Sequence, residues 1–356
     1  TSRTGRSGST SRSSRRRCRP CSHDEGRIST AVIVVAYNSG DALTRCLDSL
    51  AGEDVVVVNN GAHGPEIESA TSRARVIESD NVGFGGGCNR GAREVDADVL
   101  VFVNPDTVVQ PGAVAALGRA LQARDVGVVQ ARLRLLREPE LLNSSGNVVH
   151  VSGLAWPGGY RDPADELTAP QDIAYASGAA FAIRRDVFNE LGGFTEELFL
   201  YQEDLELSWR AHLHGLRVLV LPDADVLHDY VLERPARQKE YYLERNRLIV
   251  VLSAFSGRLL LLLAPVLLAV EVGIVLVAWR QGWLREKARG WAWLVRNRAW
   301  LVAHRRETQG LRRVGDRDLA RFLTPVVDPR MLELPRGIAA LNGLVSAWWR
   351  GVRVFL

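Results

Sequence analysis

The sequence predicts an α/β fold on a mostly parallel, Rossmann-like sheet, and three observations carry that reading. First, β-branched runs without polar alternation recur at 31–36, 55–58 and 99–103, as in strands buried on both faces. Second, helical apolar spacing separates such runs, with Leu43, Leu47 and Leu50 along 41–50. Third, the strands end in polar turns: Tyr37-Asn38-Ser39-Gly40, Asn59-Asn60-Gly61 and Asn104-Pro105-Asp106. Ligands of parallel sheets bind beyond the carboxyl ends of the strands. These ends are therefore expected to converge on one polar site.

The other elements follow in order. Residues 75–78 read as a third strand, followed by a glycine-rich loop over 81–91. Residues 175–184 read as a strand, 203–213 as a helix by apolar spacing, and 217–221 as a short strand. Residues 28–232 thus form one domain. Beyond Leu232 the chain turns basic, Leu-rich and Trp-rich, with seven of nine tryptophans at or after Trp279. Residues 1–27 hold almost no apolar side chain, cannot offset their ordering entropy, and are expected to be disordered. Cys18, Cys21 and His23 within them lack a second ligand pair at zinc-site spacing.

Charge is partitioned. The 356 residues carry a net +4, divided as +6 over 1–27, −14 over 28–232 and +12 over 233–356. The acidic middle argues against a nucleic-acid binder. Four cysteines exclude a disulfide scaffold and suit a reducing compartment.

Four constellations bear chemistry. Asp106, at a strand end beside a tight turn, can hold a hard divalent cation that also binds phosphate oxygens; the same Asn104-Pro105-Asp106-Thr107 run also suits a strand-capping turn. The segment from Asn81 to Gly91 lets backbone approach a ligand. It satisfies neither GxGxxG nor the P-loop pattern, which disfavours a dinucleotide dehydrogenase. Glu203, Asp204 and Glu206 lie among Leu205, Leu207 and Trp209. A carboxylate in such a pocket suits general-base catalysis, while acidic residues also favour a helix's first turn. His228 follows a strand and is either structural or a ligand.

In order and spacing these segments resemble the family 2 inverting glycosyltransferases of GT-A fold, especially bacterial rhamnosyltransferase-like enzymes of the cell envelope. The matched stretches are 34–39, running Val-Val-Ala-Tyr-Asn-Ser, then 81–91, 104–107, 178–185, Gly192-Gly193-Phe194, and 201–210 with the later His228. The resemblance covers about residues 30–232. It implies that Ala36, Tyr37, Asn38 and Asn59 line the base and ribose site. It implies that Asn81, Gly83, Asn89 and Asn104 shape the nucleotide-sugar pocket, and that Asp106 coordinates Mg²⁺ or Mn²⁺ with His228 as a further metal or phosphate contact. Asp204, paired with Glu203, is implied as the general base. The family often has Asp where Asn59 stands, an Asp-x-Asp pattern whose first position is here Asn104, and Phe-Asp-Glu where Phe194-Thr195-Glu196 stands.

The implied donor is a nucleotide-diphosphate sugar, with rhamnose as the reading. Galactofuranose, mannose, glucose or N-acetylhexosamine would use the same mechanism, and a catalytically inactive sugar-nucleotide-binding scaffold is the further alternative. The implied acceptor is a lipid-linked or cell-wall glycan, which places the chain at the cytoplasmic face of the bacterial plasma membrane.

Residues 259–279 form an apolar stretch just long enough to cross a bilayer, interrupted by Pro265 and Glu271. A single crossing would set the strongly basic segment 280–321 outside, against the positive-inside rule. A Pro-broken hairpin or interfacial helices are expected instead. Residues 233–356 then read as a membrane-associated helical region, with Trp283, Trp291, Trp293 and Trp300 among arginines that attract anionic lipid.

Overall fold

The computed structural model describes residues 28–62, 64–230, 237–327 and 338–356. The tail 1–27, with Cys18, Cys21 and His23, lies outside the described residues, as does Leu232. The elements, in chain order, are β1 Thr30–Ala36, α1 Asp41–Ser49, β2 Val55–Asn60, α2 Pro65–Ala70, β3 Arg75–Ser79, α3 Gly83–Glu94, β4 Val99–Val103, β5 Thr107–Val109 and α4 Ala113–Ala120. Then come β6 Val126–Leu135, β7 Glu138–Ser144, β8 Asn147–His150, β9 Ala155–Pro157, β10 Gln171–Asp172, β11 Ala180–Arg184, α5 Arg185–Glu190, α6 Glu203–Leu213 and β12 Arg217–His228. The last group is α7 Arg237–Ala254, α8 Gly257–Gln281, α9 Leu284–Arg296, α10 Arg298–Gly310, α11 Asp316–Ala320, β13 Leu323–Thr324 and α12 Ile338–Phe355.

The main sheet runs β10-β12-β6-β11-β4-β1-β2-β3, with β5 paired to β12 and β7 to β6. β4, β1, β2 and β3 are mutually parallel, β12 is parallel to β6, and β11 is antiparallel to both its neighbours. The β-branched runs are buried on both faces, as their lack of alternation requires. Val32, Val34 and Val101 pack under α1 and α4, and Ile33, Val35 and Phe102 under α3 and α5. A third core joins Leu205, Trp209 and Leu213 of α6 to α7, α8 and α12. β13 also pairs with β8, so the C-terminal region reaches back onto the first half of the chain.

Four expectations need correction. The glycine-rich segment is not a loop: from Gly83 onward it is a helix. Its glycines are there for closeness, because a Cβ at Gly87 would lie 2.7 Å from Val35 and one at Gly91 2.5 Å from Ile33. The helix can approach the sheet only without those side chains, and tertiary packing overrides propensity. The strand expected at 175–184 begins at Ala180, because the N–H groups before it serve side chains. Ser177 N donates to Gln130 Oε1 (2.8 Å) and Gly178 N to Asp204 Oδ2 (2.8 Å). The strand expected at 217–221 runs on to His228, through a register shift between Leu221 and Asp225.

The fourth correction concerns the apolar stretch. It is one continuous helix, α8, not a hairpin. Ser256 Oγ caps its start by accepting from Leu259 N (3.0 Å), and left-handed Gly282 ends it. Pro265 withholds one backbone N–H, yet the helix continues, and Trp348 Nε1 donates to the Leu262 carbonyl in the preceding turn (2.9 Å). Glu271 is paired with Arg247 and Lys287, which also pair with Glu244. Leu261 (76% exposed), Leu268, Val272, Leu276 and Trp279 remain outside as an apolar face.

Candidate functional site

The strand ends do converge. β1 ends at buried Ala36; Tyr37 beyond it is 51% exposed, and Asn38 is left-handed (φ 50°). At the end of β2 the two asparagines divide the work. Asn59 closes its own turn, accepting from Ala62 N (2.9 Å) and donating to Ala62 O and Glu78 Oε2. Asn60, which sequence reasoning quoted but did not assign, organises the next loop. Its amide donates to Asn81 Oδ1 and Gly83 O, and its carbonyl accepts from Val82 N. Asn81 Oδ1 also accepts from Gly83 N (3.1 Å). Gly83 has φ 78°, and a Cβ there would sit 2.0 Å from Phe199 O, so the start of α3 lies directly against the loop before α6. Asn89 faces elsewhere: its amide donates to Phe194 O and Glu196 Oε1 and accepts from Phe194 N, fastening α3 to the 194–196 loop.

At the end of β4, Thr107 Oγ1 donates to the Asn104 carbonyl (2.8 Å) and closes the turn that presents Asp106. β5 then pairs antiparallel with β12, setting Thr107 opposite His228. This register brings Asp106 Oδ1 to 3.4 Å from His228 Nε2. His228 Nδ1 faces Asn143 Oδ1 at 2.9 Å. A carboxamide oxygen only accepts, so Nδ1–H donates to it and Nε2 is the ring nitrogen left facing the carboxylate. Asp106 Oδ1 is buried without a hydrogen-bond donor. A carboxylate oxygen without a donor, facing an imidazole nitrogen, is a geometry that can share a cation. Among the described residues no group of three His, Cys, Asp or Glu side chains is placed to hold a metal. A Mg²⁺-like ion needs no such cage, since one or two protein ligands plus substrate phosphates suffice.

The three carboxylates of α6 meet three fates. Glu206 pairs with Arg210 Nη2 (2.6 Å) and lies 3.4 Å from His304 Nε2. Burial alone would raise its carboxyl, but Arg210 and His304 outweigh burial and hold it at about 2. Glu203 is buried with one carboxylate oxygen unpartnered, and burial, then the adjacent Asp204 charge, push it up to about 8. Asp204 is raised by burial too, but N–H groups of Gly178 (2.8 Å) and Leu205 (2.7 Å) donate to its two oxygens and favour its charged form. Those two N–H groups make Asp204 the carboxyl of the pair better placed to carry charge, and Glu203, with an unpartnered oxygen, the one better placed to keep a proton. Asn104 N donates to Ala179 O (2.9 Å), which sets the Asp106 turn beside the Gly178 backbone that holds Asp204.

One sheet edge thus brings together Asp106 facing His228 and an Asp204 carboxyl held by two backbone N–H groups. Residues 31–192 match the model for Glycosyl transferase family 2. They form a family 2 glycosyltransferase domain. The transferase is 28% identical to an N-acetylglucosaminyl-diphospho-decaprenol L-rhamnosyltransferase of Mycobacterium tuberculosis, over 55% of this chain and 75% of that one. It is 25% identical to the low-salt glycan biosynthesis hexosyltransferase Agl10 of Haloferax volcanii, over 64% and 76%. A crystal structure of GalNAc-T7 with UDP, GalNAc and Mn²⁺ superposes with a TM-score of 0.51 at 18% identity, covering 65% of this chain and 48% of that one, and shares its GT-A fold.

The transferase also has a cleft of about 840 Å³ behind α3, lined by Arg93, Phe188, Trp300 and His304. Of the sequence-predicted site residues only Asn89 touches it. Sequence reasoning missed Asn60, Asn143 and Gly178. Asn60 and Gly178 lie within quoted stretches but were given no role; Asn143, 85 positions before His228, leaves no local signal.

Proposed function

We propose that this glycosyltransferase is inverting and metal-dependent, and moves rhamnose from a dTDP-sugar to a lipid-linked glycan at the cytoplasmic membrane face. One observation carries the reading: Asp204, held by the Gly178 N–H, and the Asp106–His228 pair share one sheet edge, linked through the Asn104–Ala179 hydrogen bond. The likeness to the mycobacterial N-acetylglucosaminyl-diphospho-decaprenol L-rhamnosyltransferase supports the donor and acceptor class.

In this reading the acceptor hydroxyl attacks the anomeric carbon as the bond from that carbon to the diphosphate oxygen breaks, and Asp204 takes the hydroxyl proton. Glu203 stays protonated and spares Asp204 a second adjacent charge. Asp106 and His228 hold Mg²⁺ or Mn²⁺, which when bound offsets the charge gathering on the leaving diphosphate. Tyr37, Asn38 and Asn59 border the base and ribose, and the Asn81–Gly83 turn and Asn104 border the sugar diphosphate.

Residues 28–232 would be the catalytic unit and 233–356 a membrane-associated region. The exposed apolar face of α8 and the basic residues around it support docking on anionic lipid. α8 is the one described helix long and apolar enough to cross a membrane.

The deciding experiment incubates membranes containing the protein with dTDP-rhamnose, UDP-galactofuranose, GDP-mannose, UDP-glucose and UDP-N-acetylglucosamine. Consumption of dTDP-rhamnose, abolished by EDTA and restored by Mn²⁺, is expected. Consumption of another donor would replace rhamnose, and binding without consumption would favour the inactive scaffold. For membrane docking, replacing Leu261, Leu268 and Leu276 with Gln should shift the protein to the soluble fraction; unchanged sedimentation would count against it.

A further inference from the structure

The loop that delivers Asp204 is strained. Phe199, Tyr201 and Gln202 have φ of 62°, 68° and 67°, the left-handed region that non-glycine residues avoid. Such a run persists only where its surroundings over-determine it, and here α7 does so. Asn246, fully buried, donates through Nδ2 to the carbonyls of Leu198 (2.9 Å), Leu200 (2.9 Å) and Tyr201 (2.7 Å). Arg245 Nη2 donates to the carbonyls of Glu197 (2.7 Å) and Leu198 (2.8 Å), and its Nε to Asn246 Oδ1 (2.9 Å). Tyr242 stacks on Phe199 with centroids 5.3 Å apart. Together these contacts take up carbonyls that a left-handed chain leaves outside any ladder. The next residues are Glu203 and Asp204.

We propose that Asn246 and Arg245 are positioning residues for glycosyl transfer: they hold 199–202 in the conformation that sets Asp204 at the acceptor side. The inference rests on Asp204 being the base. It also ties the placement of the base to the helical region, because the residues flanking the pair, Glu244 and Arg247, bind the charges of α8 and α9.

The test uses the full chain in membranes, with whichever donor of the panel above the wild type consumes. Asn246→Ala should lower kcat about 50-fold or more and leave the donor KM within about twofold. Adding Gln202→Gly, which occupies the left-handed region without strain, should return about tenfold of kcat. Arg245→Lys keeps the charge and the Asn246 amide, and should cost about five- to tenfold in kcat. An unchanged kcat in either single variant, or kcat and KM moving together with no rescue by glycine, would overturn the proposal. Asp204→Asn is run beside them. If it is inactive while the α7 variants are normal, the positioning role alone fails; if it is fully active, the base assignment fails, whatever the α7 variants do.

Discussion

Asp106 and His228 meet because β5 and β12 pair in register, whereas Asp204 stands at the start of α6, placed by a preceding loop with three left-handed non-glycine residues. The cation edge is held by the sheet's own ladder, which any side chain can support. The base edge is held by particular groups from elsewhere: Gly178 N, the bare Gly83 pressed on Phe199 O, and the Arg245–Asn246 pair. Substitutions at the first edge should therefore remove chemistry and spare the fold. At the second, changes distant in sequence should remove chemistry too.

The largest effect is expected for Asp204→Asn. Transfer should fall on the order of 10³-fold with nucleotide binding preserved, as the loss of a general base predicts; single-turnover transfer and nucleotide titration measure the two. Next comes Asp106→Asn, which should weaken the apparent Mn²⁺ affinity about 10–100-fold in a metal titration of activity, with His228→Ala milder. Neither should move the melting temperature by more than a degree or two. Third, Gly83→Ala should be worse than Gly112→Ala in both melting temperature and turnover. Both glycines have positive φ, but a methyl at Gly83 strikes Phe199 O while one at Gly112 meets open space. Gly112→Ala should cost only about 1 kcal/mol.

The smallest effect concerns pH. Glu203 has a folded-state pKa raised to about 8 against an ordinary value of 4.5. Below pH 4.5 it is protonated in both states; between 4.5 and about 8 only the unfolded chain gives up the proton, so stability falls across that window and the loss is complete once the folded protein ionises. Glu203→Gln should thus melt like wild type near pH 4 and higher than wild type at pH 9, by upwards of about 1 kcal/mol. Because Asp204 is also raised, transfer should lose activity on the acid side above the ordinary carboxylate range, as a pH–kcat profile would register.

What could be read in the sequence follows the same division. β4 was legible to the residue, since a buried parallel strand writes itself as an unbroken apolar run. α6 was legible from Leu205, Trp209 and Leu213. Asp106 and Asp204 stood out as carboxylates in apolar or turn settings. The α3 helix was not legible, because glycine at 85–87 and 91 signals a loop unless one knows that Val35 and Ile33 lie beneath it. Pro265 misled in the same way, reading as a break where a helix continues. Asn143 and Asn246 act across 85 and about 45 residues of chain, and such pairings exist only once the sheet and α7 are in place.

The charges of Glu244, Arg247, Glu271 and Lys287 have a practical consequence. Arg247 and Lys287 are almost wholly buried, and their counter-charges come partly from Glu271, halfway along the most apolar helix. A cut before Gly257 would remove Glu271 and Lys287 together, leave Arg247 with Glu244 alone, and uncover the apolar side chains of α6 and α7 that pack against α8 and α12. Trimming the chain before Gly257 to obtain a freely soluble enzyme should therefore yield aggregates. Detergent extraction of the intact chain is the better route to purified, active protein.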